Sequence, residues 1–271
     1  MVGRLSRYEQ GNRYAPDIKG RGRETTLETA LHRVSCLRLM ETKETPSVKI
    51  LLGIDTCGPM GSVALGRLTN TVAEVVHQIE LEGRTYSATL VAAVADLLTH
   101  AGVELKDVGA IVAVNGPGSF TGVRVGLSAV KGLAEVAQIP VVAVSRLEVL
   151  AWKAGIESAA LDAHRHEVFL RLGRSDSPAR ELLAGVSELT TIDPAGLRIA
   201  VCDEAAGLLL KSAWPSAELL IRETPTAADA VQLCAVRVAA GEFVDLALLD
   251  GHYLRRSDAE IFGEAAKART K

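Results

Sequence analysis

The chain has 271 residues, of which 48% are hydrophobic and 23% charged, and this balance excludes a mostly disordered protein. No apolar run reaches the roughly 18 residues that a membrane-spanning helix needs, and aromatic residues make up only 4%. Residues 1–47 contain nine Lys and Arg and six Asp and Glu, whereas residues 48–271 contain 21 Lys and Arg and 27 Asp and Glu. An acidic body is a poor platform for nucleic-acid phosphates, so a partner would have to hold most of any RNA substrate.

The four cysteines are scattered and form no C-x-x-C pair. This excludes a dense disulfide framework and gives no zinc signature. No secretory h-region is visible either. We therefore expect a cytoplasmic protein with reduced thiols and no membrane association.

Residues 1–47 differ from the rest of the chain, since they are polar, rich in Arg and without a hydrophobic period. We predict a poorly ordered N-terminal extension, or a start codon assigned too early with Met40 as the alternative start. The other interpretation is an amphipathic helix over 24–40 for targeting or a membrane surface, with Leu27, Leu31, Val34 and Leu37 on one face.

From residue 48 the hydrophobic pattern becomes regular and predicts three antiparallel strands joined by short turns, over 48–55, 61–68 and 72–80. There follow a helix over 86–101, a buried strand over 108–115, a helix over 121–138, a strand over 140–144 and a short helix over 146–154. This order predicts a ribonuclease-H-like core, which the actin, Hsp70 and sugar-kinase superfamily uses twice.

After residue 155 the pattern weakens. It predicts a hairpin of strands over 158–162 and 167–173, further strands over 197–202 and 217–221, and helices over 204–211 and 227–241. We predict an α/β fold with a ribonuclease-H-like lobe over 48–155, a smaller second lobe over 156–260 and a tail over 261–271. No sequence repeat proves that the second lobe copies the first.

The most informative motif is the loop NGPGSFTGVR at 115–124, between a predicted strand and a predicted helix. Backbone amides at such a junction can bind an anion. One interpretation is a phosphate-facing group formed by Asp55, Gly116, Gly118, Ser119, Thr121 and Gly122. The other is that the glycines only let the helix pack closely on the sheet, and that Asp55 is satisfied by the amides of its own turn. The loop matches neither the P-loop motif nor the dinucleotide fingerprint.

A second cluster lies in the predicted hairpin, where Asp162 and Glu167 flank His164 and His166. Residues i and i+2 of a strand lie on one face, so His164 and His166 would supply two ligands at most and a metal site here would need a third ligand from elsewhere. We interpret the cluster as a polar hairpin tip.

Five segments together resemble the bacterial TsaB (YeaZ) family. They are ILLGIDTCGPMGSVAL at 50–65, GRTYSATLVAAVADLL at 83–98, VNGPGSFTGVRVGLSAVKGLAEVAQIPVVAVSRLEVLA at 114–151, LDAHRHEVF at 161–169 and YLRRSDAE at 253–260. The resemblance covers about residues 48–260, and the loop at 115–124 is its most specific part.

The resemblance implies a dimerisation subunit of the machinery that makes threonylcarbamoyladenosine (t6A) at position 37, next to the anticodon, in ANN-decoding tRNAs. It implies a scaffold and activator that heterodimerises with a TsaD-like catalytic subunit and works with a TsaE-like ATPase. The resemblance also implies homodimers through the same surface. It implies that the chain contacts tRNA only indirectly, through the complex. No intrinsic cofactor is implied, and ATP or ADP and metal are expected in the partner or at the joint interface.

The catalytic relative carries an H-x-x-x-H metal pair in its first long helix. Here the helix over 86–101 contains only His100, and no H-x-x-x-H occurs anywhere in the chain. Since that spacing is what places two imidazoles on one helix face, we predict no metal site and no catalytic residue in this chain.

In the family the two central helices pack against their counterparts in the partner. The resemblance therefore implies an interface on the outward faces of the helices over 86–101 and 121–138. We expect it to comprise Ser87, Val91, Ala95, Leu98, Leu127, Lys131 and Ala134. Small residues would let the helices approach closely, although ordinary alanine-rich filler is the alternative.

Three hypotheses about function stay open. The first is the non-catalytic scaffold. The second is an ATP-dependent phosphotransferase or hydrolase of the same superfold that uses Asp55 and the Gly116–Gly122 loop. The third is a homodimeric binding module with no role in tRNA modification. The second predicts nucleotide turnover by the isolated protein, abolished by Asp55→Asn, and the third predicts no heteromeric partner.

Overall fold

The computed structural model describes residues 49–174 and 177–255, with side chains described outside 174–177. The predictions for 1–47 and for the tail over 261–271 lie outside the described residues. The described chain forms two five-stranded mixed sheets with helices packed on them.

The first sheet is built from strands β1 (Lys49–Asp55), β2 (Met60–Thr69), β3 (Val72–Glu82), β4 (Val108–Val114) and β5 (Val141–Val144). Its strand order is β3-β2-β1-β4-β5. The first three strands are antiparallel, and β1, β4 and β5 are parallel to one another. The predicted ribonuclease-H-like core is therefore confirmed. Asn70 has a φ of 56°, which suits the two-residue turn between β2 and β3.

The helices of the first half are α1 (Tyr86–Ala101), α2 (Phe120–Ala137) and α3 (Arg146–Lys153). Short 3₁₀ helices at Gly83–Thr85 and Leu105–Asp107 flank α1. Ser119 caps α2 by accepting a hydrogen bond from the Gly122 amide, and Ser145 caps α3 in the same way through the Leu147 amide. These caps explain why the helices begin directly after the loop at 115–119 and after β5.

The second sheet consists of β6 (Ser158–Asp162), β7 (Glu167–Arg174), β8 (Ser177–Gly185), β9 (Arg198–Val201) and β10 (Glu218–Ile221). Its order, β8-β7-β6-β9-β10, repeats that of the first sheet, with two antiparallel pairs followed by two parallel pairs. The topology thus shows the second copy of the core that the sequence could not prove. Helices α4 (Val186–Leu189) and α5 (Glu204–Ala213) pack on this sheet, and α6 (Ala227–Ala240) follows it in the chain.

The sequence analysis missed strand β8 and helix α4. Strand β8 contains Pro178 and two charged residues, Arg180 and Glu181, and these obscure a strand pattern. The strand lies at the edge of its sheet, which is where a proline is tolerated.

Helix α6 packs on the first sheet although it follows the second. Val231 and Cys234 are buried in the same apolar cluster as β1 and β4. A Cβ atom on Gly53 of β1 would lie 2.7 Å from the side chain of Val231, and one on Gly66 of β2 would lie 2.5 Å from it, so both strands approach the helix closely. The division into lobes at residue 155 stays a prediction.

The parallel strands β1 and β4 end at the same edge of the first sheet, at Asp55 and Val114. The turn at 56–59 and the loop at 115–119 follow them, so both meet at this edge. Among the described residues, no helix is long and apolar enough to cross a membrane.

Candidate functional site: the cleft between the two sheets and the outer face of α1 and α2

The glycine loop at 115–122 packs directly on the turn that follows β1. The Ser119 amide donates to the Cys57 carbonyl (2.7 Å), and the Thr56 hydroxyl donates to the Gly122 carbonyl (2.7 Å). A Cβ on Gly118 would come within 2.2 Å of the Cys57 carbonyl oxygen, and one on Gly122 within 2.1 Å of the Thr56 carbonyl oxygen. Only glycine allows so close a backbone approach. Packing within the chain is therefore sufficient to explain these two glycines.

The residues predicted to face a phosphate do lie together, but in different environments. Asp55, Gly116 and Gly122 are buried, Gly118 is half-buried, and Ser119 and Thr121 are exposed at the start of α2. The amides of Ser119 and Gly122 are already occupied, by the Cys57 carbonyl and by the Ser119 hydroxyl. The first turn of α2 is thus partly satisfied from within the chain.

Asp55 forms a buried ion pair with Arg146 at the first position of α3. The Arg146 Nε atom lies 3.3 Å from Asp55 Oδ2, and Asp55 Oδ1 accepts from the Cys57 amide at 2.8 Å. Burial alone would lower the pKa of Arg146, but the carboxylate of Asp55, together with Cys57 and Cys202, outweighs it and the pKa is raised. Both oxygens of Asp55 are therefore engaged within the protein. The sequence analysis missed Arg146, because nothing in its local spacing marks it.

Two buried groups surround this pair. The Cys57 thiol donates to the Val114 carbonyl (3.3 Å), and burial raises the pKa of this thiol well above its ordinary value. The Tyr86 hydroxyl donates to the Gly58 carbonyl (2.8 Å), and burial raises the pKa of Tyr86 to about 12. The Nη2 atom of Arg146 is buried without a hydrogen-bond partner among the described residues.

A cleft of about 1110 Å³ opens beside the ion pair, between the two sheets. Its walls come from the turn at 57–60, the loop at 117–120, the hairpin at 161–165 and residues 252–255. The cleft is large enough for a nucleotide-sized ligand. Asp55 is the side chain expected to contact a metal or a phosphate there, but its carboxylate forms an ion pair with Arg146.

The hairpin at the rim of the cleft has a left-handed tip. His164, Arg165 and His166 have φ values of 59°, 57° and 61°. Asp162 fixes the turn, since its Oδ1 accepts from the His164 amide (2.9 Å) and its Oδ2 lies 2.8 Å from His164 Nδ1. In the described part of the chain, no group of three or more His, Cys, Asp and Glu residues could hold a metal ion.

Residues 249–255, here called the C-terminal strap, cross from one half of the molecule to the other. The His252 amide donates to the Asn115 carbonyl (2.7 Å), and His252 Nε2 lies 2.8 Å from Glu181 Oε2 on β8. Glu181 also accepts from Ser145 and Arg171, each at 2.7 Å. Burial alone would raise the pKa of Glu181, but the hydrogen bonds from His252, Ser145 and Arg171 outweigh it and the pKa is lowered. This network was not predicted.

The outer face of α1 and α2 only partly matches the predicted interface. Ser87, Val91 and Ala95 are exposed on α1, with Val91 62% exposed, and Lys131 is half-buried on α2. The expectation that the other three residues face outward is wrong, because Leu98, Leu127 and Ala134 belong to the apolar core beneath the helices. The apolar stripe of each helix is broader than the prediction assumed.

Comparison with known proteins gives concordant matches. The family model described as TsaD, tRNA N6-adenosine threonylcarbamoyltransferase, matches residues 71–197. The tRNA threonylcarbamoyladenosine biosynthesis protein TsaB of Escherichia coli K12 is 37% identical over 125 residues, which are 44% of this chain and 52% of that protein. The protein of the same name from Bacillus subtilis is 36% identical over 126 residues, or 45% and 54%. The chain thus spans about half the length of the curated relatives it matches.

Among solved structures, YeaZ from Pseudomonas aeruginosa is 31% identical and superposes with a TM-score of 0.61. The match covers 76% of this chain and 100% of that one. The similarity therefore extends across both sheets and is not confined to the glycine loop.

Proposed function

Because this chain belongs to the TsaB (YeaZ) family, we propose that it is a non-catalytic scaffold and activator in the synthesis of t6A in tRNA. It binds a TsaD-like catalytic subunit, which modifies the adenosine at position 37 of ANN-decoding tRNAs together with a TsaE-like ATPase. ATP or ADP and metal bind in the partner or at the joint interface, and the complex works in the cytoplasm. The similarity to proteins named for threonylcarbamoyladenosine biosynthesis supports this role.

One observation carries the scaffold proposal, namely the face of α1 around Val91, which the described part of the chain leaves exposed. Val91 is 62% exposed, and Ser87 and Ala95 lie one helical turn before and after it. The opposite face packs on the sheet through Leu90 and Val94, so the outward residues are not needed for the fold. A valine between two small residues lets a second helix approach to about 8–10 Å.

The arrangement around Asp55 supports a subunit without chemistry of its own. A phosphotransferase of this superfold would use Asp55 and the loop at 116–122 on a nucleotide. Here Asp55 is paired with Arg146 and the loop packs on the turn after β1. Breaking a buried ion pair costs about 3–5 kcal/mol, so a reaction that used the Asp55 carboxylate would have to offset this cost.

The alternative function, an ATP-dependent phosphotransferase or hydrolase, is favoured by one feature, the cleft of about 1110 Å³. The two functions differ in what the isolated protein does. The scaffold turns over no nucleotide and binds the TsaD-like subunit, whereas the enzyme hydrolyses ATP alone and loses that activity in Asp55→Asn.

The experiment mixes the purified chain with the TsaD-like subunit of the same organism and follows both by size-exclusion chromatography. We expect one earlier-eluting peak that contains both proteins, and ATP hydrolysis by the chain alone no higher than that of Asp55→Asn. Separate elution at several salt concentrations would contradict the scaffold. Hydrolysis that disappears in Asp55→Asn would establish the alternative.

A further inference from the structure

A second cavity, of about 420 Å³, lies between α2 and the C-terminal strap, and we call it the α2 pocket. Its walls carry three cations and two aromatic rings against one carboxylate: Arg124, Lys131, Arg255, Phe120, Tyr253 and Asp250. Such a composition is unusual in a protein whose residues 48–271 are acidic overall. None of the interactions described for the cleft accounts for it.

Two of the three cations have no acidic partner. Arg255 pairs with Glu167, but no carboxylate lies within 4 Å of Arg124 or Lys131 in the described part of the chain. The carboxylate of Asp250 accepts a hydrogen bond from the Gly251 amide (2.7 Å) and is held in its own loop. The pocket therefore carries an uncompensated positive charge that suits an anion.

The aromatic rings are held in place and remain open to solvent. Phe120 and Tyr253 are 39% and 38% exposed, with ring centroids 5.1 Å apart. The Arg124 guanidinium lies 3.7 Å above the Phe120 ring, and its Nε lies 3.4 Å from the Tyr253 hydroxyl. Two fixed aromatic rings beside a planar cation form a platform on which nucleobases stack.

The spacing of the cations distinguishes a nucleic-acid strand from a free nucleotide. Arg124 and Lys131 are seven residues apart on α2, so they lie on one helix face about 10.5 Å apart along the axis. That distance exceeds the size of one phosphate group and matches contacts to separate phosphates of a strand. In the first turn of α2 the amide of Gly122 is occupied by the Ser119 hydroxyl and is not available to a terminal phosphate.

We propose that the α2 pocket is a contact site for single-stranded RNA. Phe120 and Tyr253 stack with bases, and Arg124 and Lys131 bind phosphates of the same strand. The proposal rests on the proposed function only for the identity of the RNA, which would be tRNA. Because the body of the protein is acidic, the site contributes a few contacts and leaves most of the binding to a partner.

The test uses the full-length chain and an eight-residue oligoadenylate carrying a 5′ fluorescein, with binding followed by fluorescence anisotropy. Two phosphate contacts predict a salt slope of about −1.4, so the affinity should fall about sevenfold between 50 and 200 mM salt. Arg124→Ala/Lys131→Ala should remove this slope. Phe120→Leu and Tyr253→Leu should each weaken binding by about fivefold or more and leave the slope unchanged.

The matched control is Arg198→Ala/Lys106→Ala, which removes two exposed cations that already pair with Glu218 and Glu104. We expect its affinity and salt slope to equal those of the wild type. Lys131→Ala alone, at a half-buried surface position, keeps the test valid if the double variant does not fold.

Three results would overturn the proposal. The first is no binding at protein concentrations up to about 1 mM, which lies above the usual range of non-specific dissociation constants. The second is an equal loss of affinity in the two double variants. The third is displacement of the oligonucleotide by an equal concentration of ADP. The last would assign the pocket to a free nucleotide. Since the assay needs no partner protein, its failure leaves complex formation with the TsaD-like subunit unaffected.

Discussion

Val91→Asp is the substitution that tests the proposed interface most sharply. The side chain is 62% exposed in the isolated chain, so about three fifths of its surface is available for burial by a partner. Since full burial of a valine contributes about 1.5–3 kcal/mol, this share amounts to about 1–2 kcal/mol. An unpaired carboxylate in the interface adds a desolvation cost of about 2 kcal/mol or more. The Kd for the TsaD-like subunit should therefore rise by about 100-fold or more.

The same substitution should leave the fold intact. Asp and Val have similar helix propensities, and the position faces solvent, so the free energy of unfolding should change by no more than about 0.5 kcal/mol. Val72→Asp is the matched control, because Val72 is 69% exposed and lies on strand β3 and not on helix α1. Its Kd should equal that of the wild type.

The assay immobilises the TsaD-like subunit and measures the Kd of the wild type and of each variant by surface plasmon resonance. Val91→Ala should weaken binding by only about fivefold, because it removes apolar area and introduces no charge. A folded Val91→Asp protein that binds within about threefold of the wild type would refute the assignment of α1 to the interface.

Three further predictions concern the fold around the cleft. Gly122→Ala should lower the free energy of unfolding by about 1–3 kcal/mol, because its Cβ would lie 2.1 Å from a backbone oxygen. Gly132→Ala on the same helix would place its Cβ with nothing within 4 Å and should raise the free energy of unfolding by about 1 kcal/mol. Urea unfolding measures both changes, and two changes of the same sign would contradict the packing. Arg146→Met should lower the free energy of unfolding by about 3–5 kcal/mol, and adding Asp55→Leu should restore part of this loss. Thermal unfolding measures both variants, and a double variant no more stable than Arg146→Met would argue against the Asp55–Arg146 ion pair. The lowered pKa of Glu181 stabilises the fold above the ordinary carboxyl pKa of 4.5, and this contribution is lost as the pH falls through the folded-state pKa. The stability difference between wild type and Glu181→Gln should therefore shrink as the pH is lowered below 4.5, and a difference that stays constant would exclude the linkage.

The sequence predicted the first sheet well because its strands are long and apolar. Strand β1 is buried along most of its length, and β2 and β3 form a hairpin with a strong turn signal. In the second half, β9 and β10 have only four residues each and β8 carries a proline and charges at the sheet edge. Their pairing depends on contacts far apart in the chain, which a local pattern does not contain.

The site was predicted only where a motif marks it. Asp55 and the glycine loop stand out in the sequence, and the structure brings them together. Arg146 lies 91 residues from Asp55, and His252 lies 71 residues from Glu181, so no spacing could have indicated either contact. The burial of Leu127 was missed because the inward face of α2 also contains buried glycines, which carry no hydrophobic signal.

The most direct test of the scaffold function is the formation of t6A in a reconstituted reaction. The mixture contains the TsaD-like subunit, the TsaE-like ATPase, threonylcarbamoyl-adenylate, ATP and unmodified ANN-decoding tRNA, with and without this chain, and t6A is measured by mass spectrometry of the digested tRNA. We expect t6A to form only when the chain is present, at the wild-type level with Val72→Asp and at a strongly reduced level with Val91→Asp. Equal amounts of t6A with and without the chain would contradict the proposed function.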